Sequence, residues 1–117
     1  MKLTIQEIAE VAHEVNRALC QAFGDDSQLP WLETTLENKD ASITQVEFTL
    51  ANPDATPEDQ HNEWMRNKLA NGWKFGPVKD TYAKTHPGLV LYSQLSDAKK
   101  SKDYAYGAVV RTLGDIT

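Results

Sequence analysis

Apolar positions in this chain recur mostly at helical spacing. Ile8, Val11, Ala12, Val15 and Leu19 step by three and four residues, which places them on one face of a helix. Thr4 and Glu7 precede this run at capping-box spacing, and Gly24 behind it can take the left-handed conformation that closes helices. A polar turn, Asp25 to Pro30, leads to Trp31, the next apolar anchor. Residues 32–41 are weakly patterned and read as largely loop. Ser42 is placed to cap a second helix reaching about Ala51, because Ile43, Val46 and Leu50 fit helical spacing. Val46, Phe48 and Leu50 also alternate as a strand would, but Asn52-Pro53 closes the segment and no hairpin partner follows, which favours the helix.

A third helix carries the clearest start signals. Thr56 stands at the N-cap, Pro57 at the first helical position, and Glu58 and Asp59 in the first turn. It runs through Trp64 and Leu69 to Gly72. From Trp73 to Tyr92 the pattern breaks into short pieces punctuated by Gly76-Pro77 and His86-Pro87-Gly88. Trp73-Lys74-Phe75 and Leu89-Val90-Leu91 are expected to pair as small strands. Ser96 then caps a last helix that carries Tyr104, Ala108 and Leu113 and ends near Gly114. The expected fold is mainly α: one small domain, a bundle of about four helices, with a short two-stranded β element between the third and last helices. There is no repeat at a fixed period, no low-complexity tract and no long linker.

Composition adds bounds to this picture. The 117 residues suit one domain, and 40% hydrophobic content suits a packed core. No apolar run approaches the roughly 20 residues of a membrane helix, and acids appear by Glu7, so neither a membrane partner nor a secretory leader is expected. Cys20 is the single cysteine, which suits a reducing compartment, and a cytoplasmic location is expected. The net charge of −5 is unevenly spread: residues 1–63 hold thirteen acids and three bases, residues 64–117 four acids and nine bases. An acidic protein is a poor binder of long nucleic acid. The basic half has two readings: it attracts a small anion, or the two halves attract each other.

The usual catalytic and metal-binding patterns are absent. Asp25-Asp26 lacks the alternating oxygen ligands of a calcium loop and reads as turn chemistry. His13 and Cys20 lie about 10 Å apart along a helix axis, too far to share an ion, and no histidine pair sits at i, i+4, so no metal site is expected. There is no nucleophile elbow, no HExxH and no phosphate loop, so no catalytic residue and no cofactor is expected. Two stripes remain. His13, Asn16, Arg17 and Cys20 form a polar face on the first helix, read either as a pocket wall or as half-buried groups bonded to a neighbouring loop. His61, Trp64 and Lys68, at i, i+3 and i+7 on the third helix, suit a nucleobase stacked on an aromatic beside a cation that holds phosphate. The competing reading places Trp64 in the core.

One long motif bears on those alternatives. His61-Asn62-Glu63-Trp64, then Gly72-Trp73-Lys74-Phe75-Gly76-Pro77-Val78-Lys79-Asp80, then His86-Pro87-Gly88-Leu89-Val90, resembles the repeat domain of ryanodine receptors, the RyR domain. That family's pattern runs HxxW, GWxYGPVxD, HPxLVPY. The resemblance covers residues 56–114; within the helical lead-in over residues 4–52, Ala12-His13-Glu14-Val15-Asn16-Arg17 through Gly24-Asp25 looks like the lead-in of small standalone bacterial and phage proteins with this domain, as does Asn52 to Pro57. The whole of 1–117 is therefore expected to be one RyR-type domain. Phe75 replaces the usual tyrosine, Gly88 stands where cysteine or arginine is common, and Leu91 replaces a proline.

The resemblance implies a non-enzymatic module. A tryptophan matching Trp64 is associated with stacking on an adenine nucleotide, and prokaryotic members have been proposed as sensors of nucleotide-derived signals. The expected partner is a small nucleotide-like anion, bound through Trp64, His61, Lys68, Trp73, Lys74, Asp80, His13 and Asn16, with Arg66, Lys79 and Lys84 as further candidate phosphate contacts. Trp73 and Asp80 also have a structural reading: Trp73 fills the core and Asp80 ties a loop. The alternative function is a protein-interaction or assembly module, including a homodimer that shares a pocket.

Overall fold

The structure, a computed structural model, describes residues 2–115; Met1 and residues 116–117, the ends of the expected domain, lie outside the described residues. Four helices carry the fold: α1 (Ile5–Ala22), α2 (Leu36–Ala51), α3 (Pro57–Ala70) and α4 (Asp97–Asp115). Between α3 and α4 lie β1 (Lys74–Phe75), β2 (Thr85–His86) and a single 3₁₀ turn at Tyr92–Gln94. The expected class, a helical bundle with a two-stranded element before its last helix, is the class observed.

Local chemistry accounts for the helix starts. The Thr4 hydroxyl accepts from the Glu7 N–H at 3.1 Å while the Glu7 carboxylate accepts from the Thr4 N–H at 2.9 Å, a complete capping box. Thr56 and Asp59 repeat this reciprocal pair at the head of α3, with Pro57 just inside. Gly24 and Gly72 follow α1 and α3 with φ of +87° and +86°, the conformation that glycine enters without a Cβ penalty.

Two segments differ from expectation. α2 starts at Leu36, six residues before Ser42: the Thr35 hydroxyl caps it by accepting from the Asn38 N–H at 3.1 Å. β1 pairs not with Leu89–Leu91 but with Thr85–His86, in parallel, with Lys74 opposite Thr85 and Phe75 opposite His86. Leu89 is instead buried. Gly76 is required beside this pairing, since a Cβ there would lie 2.6 Å from the Thr85 Cβ.

The core is small and lies where α1, α2 and α4 meet. Ile8, Ala9 and Ala12 of α1 pack with Val46 of α2, Val110 of α4 and Trp31 from the α1–α2 loop. Ile43, Tyr106, Val109 and Leu113 border it. Burial of these apolar side chains holds the bundle together, at about 25 cal/mol per Å² removed from water. No helix among the described residues is long and apolar enough to cross a membrane.

Candidate functional site

Beside this core the four helices enclose a cavity of about 350 Å³, within the range of small-ligand pockets. Each helix contributes one stripe at near-helical spacing: Ala12, His13, Asn16 and Cys20 from α1; Asn38, Ser42 and Gln45 from α2; His61, Trp64 and Lys68 from α3; Lys99, Lys102, Asp103 and Tyr106 from α4. The segment after α3 adds Trp73, Lys79, His86 and Gly88, and the α1–α2 loop adds Asp25 and Ser27. Six of the eight expected site residues therefore line one cavity: His13, Asn16, His61, Trp64, Lys68 and Trp73.

Lys74 and Asp80 do not line it. Lys74 is exposed on β1. The Asp80 carboxylate accepts from the N–H groups of Tyr82 and Ala83 at 2.9 and 3.1 Å, and its backbone exchanges two 3.0 Å bonds with Thr85. It ties the loop between the strands, as its structural reading anticipated. Lys84 pairs with Glu37 at 3.4 Å and donates to the Asn71 carbonyl, and Arg66 pairs with Glu63 outside the cavity.

The aromatic wall is built around Trp64, which is half-buried. His61 stacks beside it with ring centroids 5.6 Å apart and an interplanar angle of 28°. His86 meets it edge-on at 4.9 Å. His61 is buried and fixed by a 2.7 Å bond from its Nε2 to the Val90 carbonyl. On the opposite wall His13 bonds the Leu29 carbonyl through Nε2 at 2.7 Å, so the α1 stripe both lines the pocket and bonds to the neighbouring loop.

The charged lining is dominated by lysine. Lys68, Lys79, Lys99 and Lys102 face the cavity, and among the described residues none of them forms an ion pair with a carboxylate. Lys68 is buried with Nζ 4.5 Å from the centroid of the Trp73 ring. Burial pulls the pKa of both Lys68 and Lys79 below the usual lysine value. Burial, together with the four lysines, holds His86 down at about 3. The carboxylates are Asp25, held low by the hydroxyl and N–H of Ser27, and Asp103, raised by burial to about 7.

The lining places the Lys102 ammonium 3.6 Å from the buried Cys20 sulfur, a long N–H···S hydrogen bond. Among the described residues no cluster of histidine, cysteine and carboxylate groups is placed to hold a metal ion. The hollow thus combines an aromatic wall, neutral donors and lysines without carboxylate ion pairs among the described residues.

Sequence reasoning missed the walls supplied by α2 and α4, together with His86. Their signal was present as polar stripes, Asn38, Ser42 and Gln45 and then Lys99, Lys102 and Tyr106, at the spacing that had singled out α1 and α3.

A small helical domain with a central hollow lined by both aromatic and polar side chains defines the class. More narrowly, the family model of the RyR domain matches residues 40–113. The chain belongs to the RyR domain family. The match begins in the first half of α2, upstream of the 56–114 stretch that carries the resemblance, and takes in all of α3 with most of α2 and α4.

Proposed function

We propose that this protein is a binding module for a small anionic nucleotide or nucleotide-derived signal, and that it holds its ligand without turning it over. One observation carries the reading: Trp64 and Lys68, one turn apart on α3, face the same cavity as three further lysines that lack carboxylate partners among the described residues. A flat base gains about 1–3 kcal/mol by stacking on an aromatic side chain, and ammonium groups supply charge-assisted bonds to phosphate oxygens. His61, stacked on Trp64, extends the wall, and His13 and Asn16 border the region open to base or ribose.

A thermal-shift panel tests this, using nucleoside mono- and diphosphates of all four bases, ADP-ribose and cyclic di- and trinucleotides. A ligand at 100 times its Kd stabilises the fold by about 2.7 kcal/mol. Trp64→Ala should weaken the hit by about 10- to 100-fold and Trp64→Phe by much less, read by calorimetric titration. Unchanged affinity in both variants would remove Trp64 from the site. Flat curves across the panel would favour the interaction module, for which the exposed Leu32 and Leu36 are the observation in hand.

A further inference from the structure

The cationic end of the cavity is assembled around one imidazole. The Gly88 N–H donates to the His86 Nδ1 at 2.8 Å, so the lone pair of Nδ1 is engaged. With His86 held neutral at about 3, its remaining proton sits on Nε2, and the ring faces the cavity as a hydrogen-bond donor of fixed tautomer. Gly88 is needed for this seat: a Cβ there would lie 2.9 Å from the His86 Cε1.

A second neutral donor lies alongside. Trp73 is 5% exposed, lines the same cavity, and its indole Nε1–H is buried without an acceptor. A buried N–H with no partner costs about 1–3 kcal/mol, a loss that an acceptor in the hollow would recover once a small shift of the indole uncovers Nε1, which is covered in the ligand-free fold. Lys68 belongs to the same corner, over the Trp73 ring. The ring of Trp73 is in turn edge-on to His86 at 6.5 Å. Lys79, half-buried, completes the group.

We infer that Trp73, His86, Lys68 and Lys79 form a subsite for a phosphoryl dianion, the terminal phosphate of a monoester, and that cyclic or bridging phosphodiesters are poorer ligands. The inference rests on the binding-module reading and narrows its ligand class. Two features select the dianion. The lining sets four lysines against two carboxylates, Asp25 and Asp103, so a ligand with two negative charges brings the cavity close to neutrality. A terminal phosphate also offers three acceptor oxygens to the four donors, whereas a diester offers two and half the charge. The four named groups all donate, and Asp25, close enough to Lys79 to raise its pKa, stands beside them as an acceptor.

The test is calorimetric titration of the whole chain at pH 8, where a phosphate monoester is fully dianionic, with inorganic phosphate, AMP, cyclic 3′,5′-AMP and adenosine. AMP should bind at least tenfold more tightly than cyclic AMP, and inorganic phosphate should compete with AMP. Trp73→Phe keeps the ring and removes the N–H; Lys79→Gln keeps the chain and removes the charge. Each should weaken AMP at least fivefold and leave adenosine within twofold. Cyclic AMP binding as tightly as AMP would overturn the dianion subsite while leaving the nucleotide reading standing. Equal losses for AMP and adenosine would place Trp73 and Lys79 in the scaffold instead. No heat from phosphate, AMP, cyclic AMP or adenosine, in a chain whose circular dichroism reports an intact helical fold, would overturn the subsite. The four-base panel above then decides separately whether the nucleotide reading survives.

Discussion

Replacing Lys68 with methionine separates a binding role from a scaffolding one. Lys68 retains 9% exposure, and the partner visible for its ammonium is the Trp73 ring at 4.5 Å. Burial lowers its pKa, Glu37 opposes that shift, and the like charges of Lys79 and Lys84 reinforce it. Taking an ammonium out of water costs several kcal/mol in a real protein interior, and a desolvated cation–π contact returns about 2 kcal/mol. With some hydration kept, the charged head destabilises the unliganded fold by about 1 kcal/mol. Methionine preserves the length and the apolar stem. Lys68→Met should therefore raise ligand-free stability by about 1 kcal/mol, an increase in Tm of about 4 °C for a domain of this size. The same change removes a charge-assisted contact worth roughly 1.5–3 kcal/mol, so affinity for a phosphorylated ligand should fall about 10- to 100-fold. Urea denaturation without ligand and calorimetric titration with it measure the two effects. A ligand-free loss of 1 kcal/mol or more would refute the reasoning, because the ammonium would then be holding the Trp73 wall in place.

Two further substitutions probe the cavity. Asp103 has its folded pKa raised by burial from 3.8 to about 7, so its favourable contribution is full below about pH 4 and is lost as pH rises to about 7. Asp103→Asn should remove that slope and be about 1–3 kcal/mol more stable than the parent at pH 8, read by denaturant titration across pH; an unchanged slope would disprove the burial of the carboxylate. His86 works in the opposite sense, since its pKa is depressed from 6.5 to about 3 and stability is lost as pH falls through that window. For that reason the variant must be compared with its parent at each pH. Gly88→Ala places a Cβ 2.9 Å from the His86 Cε1 and 3.4 Å from the Trp64 Cη2, and should cost about 1–3 kcal/mol and shift the tryptophan fluorescence. A neutral outcome in both readouts would mean that His86 is not held against Gly88.

The fold was legible where local chemistry and apolar spacing agree, and less so where a helix faces the cavity. Thr4 with Glu7, and Thr56 with Asp59, announce α1 and α3 because each cap is settled within a few residues. The first turns of α2, residues 36–41, looked like loop because Asn38, where a core-facing helix would carry an apolar residue, lines the hollow instead. The cap that starts α2, Thr35, was visible but had no apolar run behind it to support it. The partner of β1 was misjudged for a different reason. Leu89–Leu91 has the composition of a strand, yet the loop from Gly76 to Lys84 returns early: Asp80 gathers the N–H groups of Tyr82 and Ala83, and Lys84 takes φ of 56°. That geometry brings Thr85–His86 to β1 first and leaves Leu89 free to be buried. His86 was passed over because its role depends on a bond from Gly88 two residues on and on lysines from three separate segments, none of which is a local pattern.

The uneven charge along the chain has two physical consequences, attraction between the halves and attraction of an anion. Mutual attraction of the halves would appear as ion pairs linking basic residues beyond position 63 to the acidic first half. Among the described residues, Lys84 with Glu37 is such a pair between distant segments, whereas Arg66 with Glu63 is a local contact within α3. Lys68, Lys79, Lys99 and Lys102 instead come from α3, the inter-strand loop and α4 to surround one hollow, where they repel one another and depress the pKa of His86. An arrangement that gathers four lysines and offsets them only in part, with Asp25 and Asp103, works against the stability of the ligand-free fold. The same arrangement favours an anion that occupies the hollow, because its charges are already in position and partly stripped of water. The acids of the first half lie largely elsewhere, with Asp25 as the exception at the cavity, and there the Ser27 hydroxyl and N–H keep its charge in place. On the proposed reading the four cavity lysines are the part of the basic surplus that an anionic ligand would meet, while Asp25 near Lys79 and Lys102, and Glu37 near Lys68 and Lys84, supply attraction between the halves as well.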